Sequence, residues 1–197
     1  MTNVTCGAVA RRRGGVGEQW LVLTSAHVAR VAAVIGTFSE DTPTATVIER
    51  MLADQPDVAA QLAAAHDAAW AVVDPVVLEL CRLRIAQLLD NAVELRVRTP
   101  AAVTAGLDET TIAELPAWPT SVRYGATARA CIALCEQSVI DVANVTPAQT
   151  EAVAAALGVQ GLADFVSALL VVEQRQRLRL AWTRLFAGPA RGEPHGT

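Results

Sequence analysis

The chain has 197 residues, of which 52% are hydrophobic and 18% charged, and this composition predicts a folded protein rather than a disordered one. The length fits one domain with a sizeable core. The formal net charge is −4 and all 16 basic residues are arginine, so we expect no nucleic-acid partner, because phosphate binding requires a basic surface. Without lysine, Schiff-base chemistry is excluded.

Residue usage also indicates a fold class and a compartment. Aromatic residues make up only 4% of the chain, while alanine and valine are abundant, which favours closely packed helices and predicts an all-α fold. The four cysteines are too scattered for a disulfide scaffold and indicate a reducing environment, so we expect a cytoplasmic protein. Charged residues interrupt every apolar run before the roughly 18 residues that a membrane span needs, so no membrane partner is expected.

The first 46 residues are predicted to form an arm followed by a helix. Residues 1–19 combine glycines with three arginines and have no apolar period, which predicts an arm. Apolar positions between Trp20 and Phe38 fit a helix, and residues 39–46 are predicted to be a loop. The chain is thus divided into residues 1–46, a helical domain over 47–187, and a tail over 188–197.

The first half of the helical domain is predicted to contain three helices. One covers 47–53, and a second begins at Pro56 and continues to about residue 73. Asp74 is predicted to cap a third helix, since aspartate is a common N-cap and Pro75 suits a first helical turn. The apolar pattern that follows predicts one uninterrupted helix over 76–99.

The second half carries clear signals for helix ends. Gly106 is predicted to end a helix, and Asp108 to cap a short one over 109–115. A helix is predicted over 126–142, and Thr146, Pro147 and Gln149 form a capping-box pattern that opens the next helix, predicted over 148–157. Gly158 is predicted to end it, before a last helix over 162–186.

Several segments together resemble a known family. They are the Leu-Glu-Leu-Cys-Arg-Leu-Arg-Ile-Ala-Gln run at 78–87, residues 101–106, 108–115 and 128–136, the Val-Thr-Pro at 145–147, and the Arg-Leu-Arg-Leu-Ala-Trp run at 177–182. Their order resembles the carboxymuconolactone decarboxylase and alkyl hydroperoxidase-like (AhpD-like) family. The resemblance implies an all-α helical domain and a homo-oligomer, often a trimer or hexamer.

The redox chemistry of that family is not expected here. Its redox members carry a Cys-x-x-Cys motif followed four residues later by histidine, and the register of the resemblance places these positions at Asn91, Glu94 and Arg98. Peroxide reduction by this route requires a reactive thiolate with a second thiol nearby, so it is excluded at this site. Glu79 occupies the position of the family's proton-relay glutamate.

The remaining polar residues suggest acid/base chemistry without a cofactor or a metal. In this interpretation Glu79, Glu94 or His66 transfers a proton, while Arg98 and Asn91 bind a small carboxylated or lactone-like substrate. The reaction would be a decarboxylation, isomerisation or elimination. Glu94 and Arg98 are four residues apart, so on one helix their side chains are expected to touch. Alternatively, the same charges form a structural ion pair at a subunit contact, and the protein is a catalytically silent binding or assembly protein.

Cys131 and Cys135 provide a third hypothesis. Their four-residue spacing places both thiols on one helix face, where they could act as a thiol peroxidase. Their apolar neighbours favour small core residues instead.

Overall fold

The computed structural model describes residues 41–186, and this part of the chain is all-α, with no β-strand among its residues. The predicted arm, the helix predicted over 20–38 and the predicted tail lie outside the described residues. The helices in chain order are α1 (Thr44–Met51), α2 (Pro56–Val72), α3 (Pro75–Leu88), α4 (Ala92–Arg96), α5 (Pro100–Thr104), α6 (Glu109–Ala113), α7 (Ala126–Asp141) and α8 (Pro147–Phe186), with short 3₁₀ turns at Leu115–Ala117 and Val142–Asn144.

Local capping signals place the helix starts where the sequence predicts them. The Asp74 carboxylate accepts hydrogen bonds from the backbone N–H groups of Val76 at 2.9 Å and Val77 at 3.0 Å, which fixes the start of α3. The capping box of α8 is reciprocal: the Gln149 side chain accepts from the Thr146 N–H at 2.9 Å, and the Thr146 hydroxyl accepts from the Gln149 N–H at 3.4 Å.

The single helix predicted over 76–99 is wrong, because the chain turns at Asp90. This residue has a positive φ of 53°, and the Asn91 N–H reaches back to the Ala86 carbonyl at 2.8 Å. The Asn91 side chain then caps α4 by accepting from the Glu94 N–H at 3.5 Å. The turn brings Glu94 and the following residues back over α3, where they meet its buried polar side chains.

Gly158 divides α8 into two arms. Its φ of 80° and ψ of 167° lie in a region that only glycine adopts without strain. We call residues 147–157 the short arm and residues 159–186 the long arm. The predicted break at Gly158 is confirmed.

The core lies where α3, α7 and the long arm of α8 pack against one another, and α1 and α2 pack on α8. Leu78, Ile132 and Phe165 are among its fully buried side chains. By length and composition alone, the span Pro147–Arg184 could cross a membrane, although Phe165, Leu169 and Val172 on this span belong to the core. The same packing places the start of α1, the middle of α2 and the long arm of α8 around the buried charges of α3.

Candidate functional site

A buried ion-pair network centres on Arg82 of α3. Its Nε and one terminal nitrogen donate to the two carboxylate oxygens of Glu79 at 2.8 and 2.7 Å. The other terminal nitrogen donates to the Glu94 carboxylate at 2.6 Å and the Glu94 carbonyl at 2.9 Å. Burial opposes the charged form of Arg82, but the hydrogen bonds and charges of Glu79 and Glu94 outweigh it and raise the pKa of Arg82.

Glu79 is saturated by this network. Besides the two bonds from Arg82, its oxygens accept the Thr99 N–H and the Thr99 hydroxyl, each at 3.2 Å, and the side chain is fully buried. Each oxygen thus accepts two hydrogen bonds, and Glu79 is not among the residues that line the neighbouring cavity. The geometry matches the structural ion pair of the alternative interpretation, although this pair lies within one chain rather than between subunits.

A cavity of about 190 Å³ lies beside the network. It is bounded by the start of α1, the middle of α2, the segment around α4, and the long arm of α8. Its walls are formed by Pro43, Thr44, Ala45, His66, Arg82, Glu94, Val97, Thr99, Val172, Arg175 and Gln176. Two of the five predicted site residues, His66 and Glu94, therefore face one space.

His66 enters this cavity from α2. Its Nδ1 is buried and has no hydrogen-bond partner in the described part of the chain, and its ring meets Trp70 one turn later edge-on, with centroids 6.2 Å apart. Burial lowers the pKa of His66 below the usual 6.5, and the Arg175 charge lowers it further, while the Asp67 and Glu94 carboxylates oppose this shift. The imidazole is therefore neutral at pH 7.

Arg175 brings a positive charge to the same cavity from the long arm of α8. Within residues 41–186 its guanidinium makes no hydrogen bond or ion pair, although Glu94 and Asp67 act on it through space. Partial burial lowers its pKa. An arginine keeps its charge even so, so the cavity contains a cation whose donors are unused.

Glu94 and Asn91 are held by their own partners. The Glu94 carboxylate accepts from the Thr44 hydroxyl as well as from Arg82, and its side chain is 12% exposed. The amide of the fully buried Asn91 donates to Gln176 at 3.4 Å and accepts from Arg179 at 3.4 Å. Glu94 therefore lines the cavity, whereas Asn91 lies behind it as a structural link between α4 and α8.

Arg98 does not line the cavity. Its guanidinium forms a two-pronged ion pair with Glu109 at 2.7 and 2.9 Å and also donates to the carbonyls of Leu95 and Val97. The predicted contact between Glu94 and Arg98 is wrong, because the turn at Asp90 directs Glu94 to Arg82 instead. The predicted role of Arg98 as the substrate anchor is not supported by this position.

The cysteines of α7 lie in the core. Cys131 and Cys135 are fully buried, and burial raises the pKa of Cys131 to about 12. The Cys135 thiol donates weakly to the Cys81 carbonyl at 3.7 Å. A protonated, enclosed thiol is a poor nucleophile, so the core interpretation fits and a peroxidase at this pair is not supported.

Residues 56–137 match the model of the carboxymuconolactone decarboxylase family. This segment is a carboxymuconolactone decarboxylase domain. No curated protein and no solved structure matches the chain.

The domain contributes only part of the cavity. His66, Arg82 and Glu94 lie within the matched segment, whereas Thr44 of α1 and Arg175 of α8 lie outside it. Sequence reasoning missed Arg175 because nothing in the basic pattern of the last helix distinguishes it from its neighbours. The burial of Val172 and Gln176 beside it does distinguish Arg175, but this burial is visible only in the structure.

Proposed function

We propose that the protein is a cofactor-free enzyme that transfers a proton on a small carboxylated molecule. One observation supports this proposal above all others: a neutral imidazole, whose Nδ1 has no hydrogen-bond partner among residues 41–186, shares a cavity with a guanidinium that has no partner there either. Such a pair offers a base and an anion anchor in one place.

His66 acts as the base in this proposal. Its lowered pKa keeps the imidazole ready to accept a proton at pH 7, and the pocket walls limit competing contacts with water. Glu94 cannot replace it easily, because both its oxygens already accept hydrogen bonds. Glu79, saturated and outside the cavity, serves to hold Arg82.

Arg175 binds the substrate carboxylate in place of the predicted Arg98. A guanidinium can donate two parallel hydrogen bonds to a carboxylate, which fixes both its position and its orientation. A carboxylate held there places the adjoining carbons near His66. Orientation of this kind supplies a large part of the barrier reduction in proton transfer.

The resting state of His66 favours one reaction type among those predicted. In an isomerisation the imidazole takes a proton from one carbon and returns it to another, so it starts and ends neutral. In a decarboxylation the carbon that loses CO₂ needs a proton from an acid, and an imidazole with a lowered pKa is mostly unprotonated. We therefore favour isomerisation, or elimination that begins with proton removal.

Deuterium exchange tests the proposal without knowledge of the natural substrate. The protein is incubated in D₂O with a panel of small carboxylates and lactones, and NMR follows the loss of C–H signals. We expect exchange with the wild-type protein, a loss of at least 100-fold in His66→Gln, and a weakened apparent affinity in Arg175→Gln. Arg177→Gln on the same helix, where Arg177 pairs with Glu173 at 2.7 Å, is the matched control and should behave as wild type.

The second candidate is a binding protein without catalysis. The buried network favours it, because Glu79 and Arg82 use their hydrogen-bonding capacity on each other and on their neighbours, as in a purely structural ion pair. The cavity, at about 190 Å³, is below the roughly 300 Å³ at the lower end of ligand pockets, which limits either candidate to a small ligand. Saturable binding of a carboxylate with no exchange in any panel member would support this candidate over the enzyme.

A homo-oligomer and a cytoplasmic location belong to the same proposal. Exposed apolar side chains support the oligomer, among them Ile140 at 64%, Val159 at 82% and Leu170 at 59% exposure. Light scattering of the purified full chain tests it, and a monomeric mass at micromolar concentration would contradict it.

A further inference from the structure

Arg82 faces the cavity but has no donor left for a ligand. A guanidinium has five N–H groups. Those of Arg82 are matched by five acceptors: the two Glu79 oxygens, one Glu94 carboxylate oxygen, the Glu94 carbonyl, and the Val97 carbonyl at 2.7 Å. This cation therefore cannot bind an anionic substrate without breaking one of these hydrogen bonds.

The hydroxyl groups that line the cavity also already donate hydrogen bonds within the protein. The Thr44 hydroxyl donates to Glu94, and the Thr99 hydroxyl donates to Glu79. Among the described residues that line the cavity, Arg175 is thus the one cation whose donors are unused. The cavity can therefore compensate the negative charge of one carboxylate.

A second carboxylate on the ligand would have no suitable place. Away from Arg175, the ligand meets either the Glu94 carboxylate or a wall formed by the neutral His66 ring and the apolar side chains of Val97 and Val172. The first contact is repulsive, and the second removes a charge from water without an opposite charge to compensate it. Both raise the free energy of a bound dianion relative to a bound monoanion.

We propose that this cavity selects small monocarboxylates with an apolar body and rejects dicarboxylates of the same shape. The inference rests on the proposed function, because it names the substrate class of the same site. Arg175 determines the affinity for the first carboxylate. A second carboxylate is rejected because the ion pairs with Glu79 and Glu94 already occupy the donors of Arg82.

Three probes of matched shape test this selectivity. Isobutyrate carries one carboxylate, methylmalonate replaces one of its methyl groups with a second carboxylate, and isobutyramide carries no charge. Each is titrated into the full-length protein at pH 7.5, and NMR follows the His66 ring signals, which are identified by their absence in His66→Gln. We expect saturable shifts with isobutyrate, binding at least tenfold weaker with methylmalonate, and no saturation with isobutyramide.

Arg175→Gln should abolish the isobutyrate response, whereas Arg177→Gln should leave it intact. Methylmalonate binding as tightly as isobutyrate, binding that survives Arg175→Gln, or no binding of isobutyrate would each overturn the inference. Failure of the proposed function looks different. Selective monocarboxylate binding without any deuterium exchange would refute the proposed catalysis and leave the inferred selectivity intact. Deuterium exchange on a dicarboxylate would support the catalysis and refute the selectivity.

Discussion

Replacing Arg82 with methionine should destabilise the protein more than any exposed arginine replacement does. The change leaves the Glu79 carboxylate fully buried, with only the two Thr99 donors as partners. Breaking a buried ion pair from one side costs about 3–5 kcal/mol in the free energy of unfolding, because an uncompensated charge remains. The Glu94 and Val97 carbonyls also lose their donor, so we expect a value at the upper end of this range.

Urea denaturation followed by far-ultraviolet circular dichroism measures this loss. Arg123→Met is the control, because Arg123 and Glu114 form an ion pair with side chains 42% and 41% exposed, and solvent screens such a pair so that it adds little to stability.

A double variant separates the buried charge from the loss of packing. Glu79→Leu combined with Arg82→Met removes both charges of the most deeply buried pair and leaves the Glu94 carboxylate with the Thr44 hydroxyl as its donor, so it should recover at least half of the lost stability. If the single variant is unfolded in buffer, the double variant serves as the test. Unfolding of the single variant is conceivable because a domain of this size has a free energy of unfolding of only about 5–15 kcal/mol. A cost below about 1 kcal/mol for Arg82→Met, or a double variant less stable than the single one, would refute the reasoning.

Three further predictions concern the fold and its pH dependence. Gly158→Ala should lower the free energy of unfolding by about 1–3 kcal/mol in the same assay, because alanine is strained at a φ of 80°; an unchanged value would contradict the break in α8. Asp74→Ala should cost about 1 kcal/mol through loss of the α3 cap, whereas Asp74→Asn should cost less. The pKa of His66 is lowered in the folded state, so its contribution to stability is complete above about pH 6.5 and is lost as the pH falls through the folded-state pKa. The urea midpoint of wild type should thus fall more steeply than that of His66→Gln between pH 7.5 and 5.5, and parallel curves would count against a buried neutral imidazole.

The parts of the fold that local chemistry determines were predictable from the sequence. Asp74 before Pro75 and Thr146 before Gln149 start helices through hydrogen bonds that span three residues, so the residues themselves carry the signal. The turn at Asp90 was not predictable in this way. Apolar residues continue with helical spacing through Val93, and the positive φ depends on contacts that the finished fold supplies.

The candidate site was predictable only in part, for a related reason. The resemblance correctly drew attention to α3 and to Glu79, but its register suggested Arg98 as the partner of Glu94. The actual partner, Arg82, became available once the chain turned back over α3. Arg175 lies 109 positions after His66 in the sequence, and only the packing of α2 on α8 brings the two side chains to one cavity.

The pKa of His66, measured by NMR titration in wild type and in Arg175→Gln, tests the central claim most directly. If the two side chains share a cavity, the wild-type pKa lies below 6.5, and removal of the Arg175 charge raises it while Arg177→Gln leaves it unchanged. A wild-type pKa at or above 6.5 that does not respond to Arg175→Gln would contradict the pairing of base and anion anchor on which the account depends.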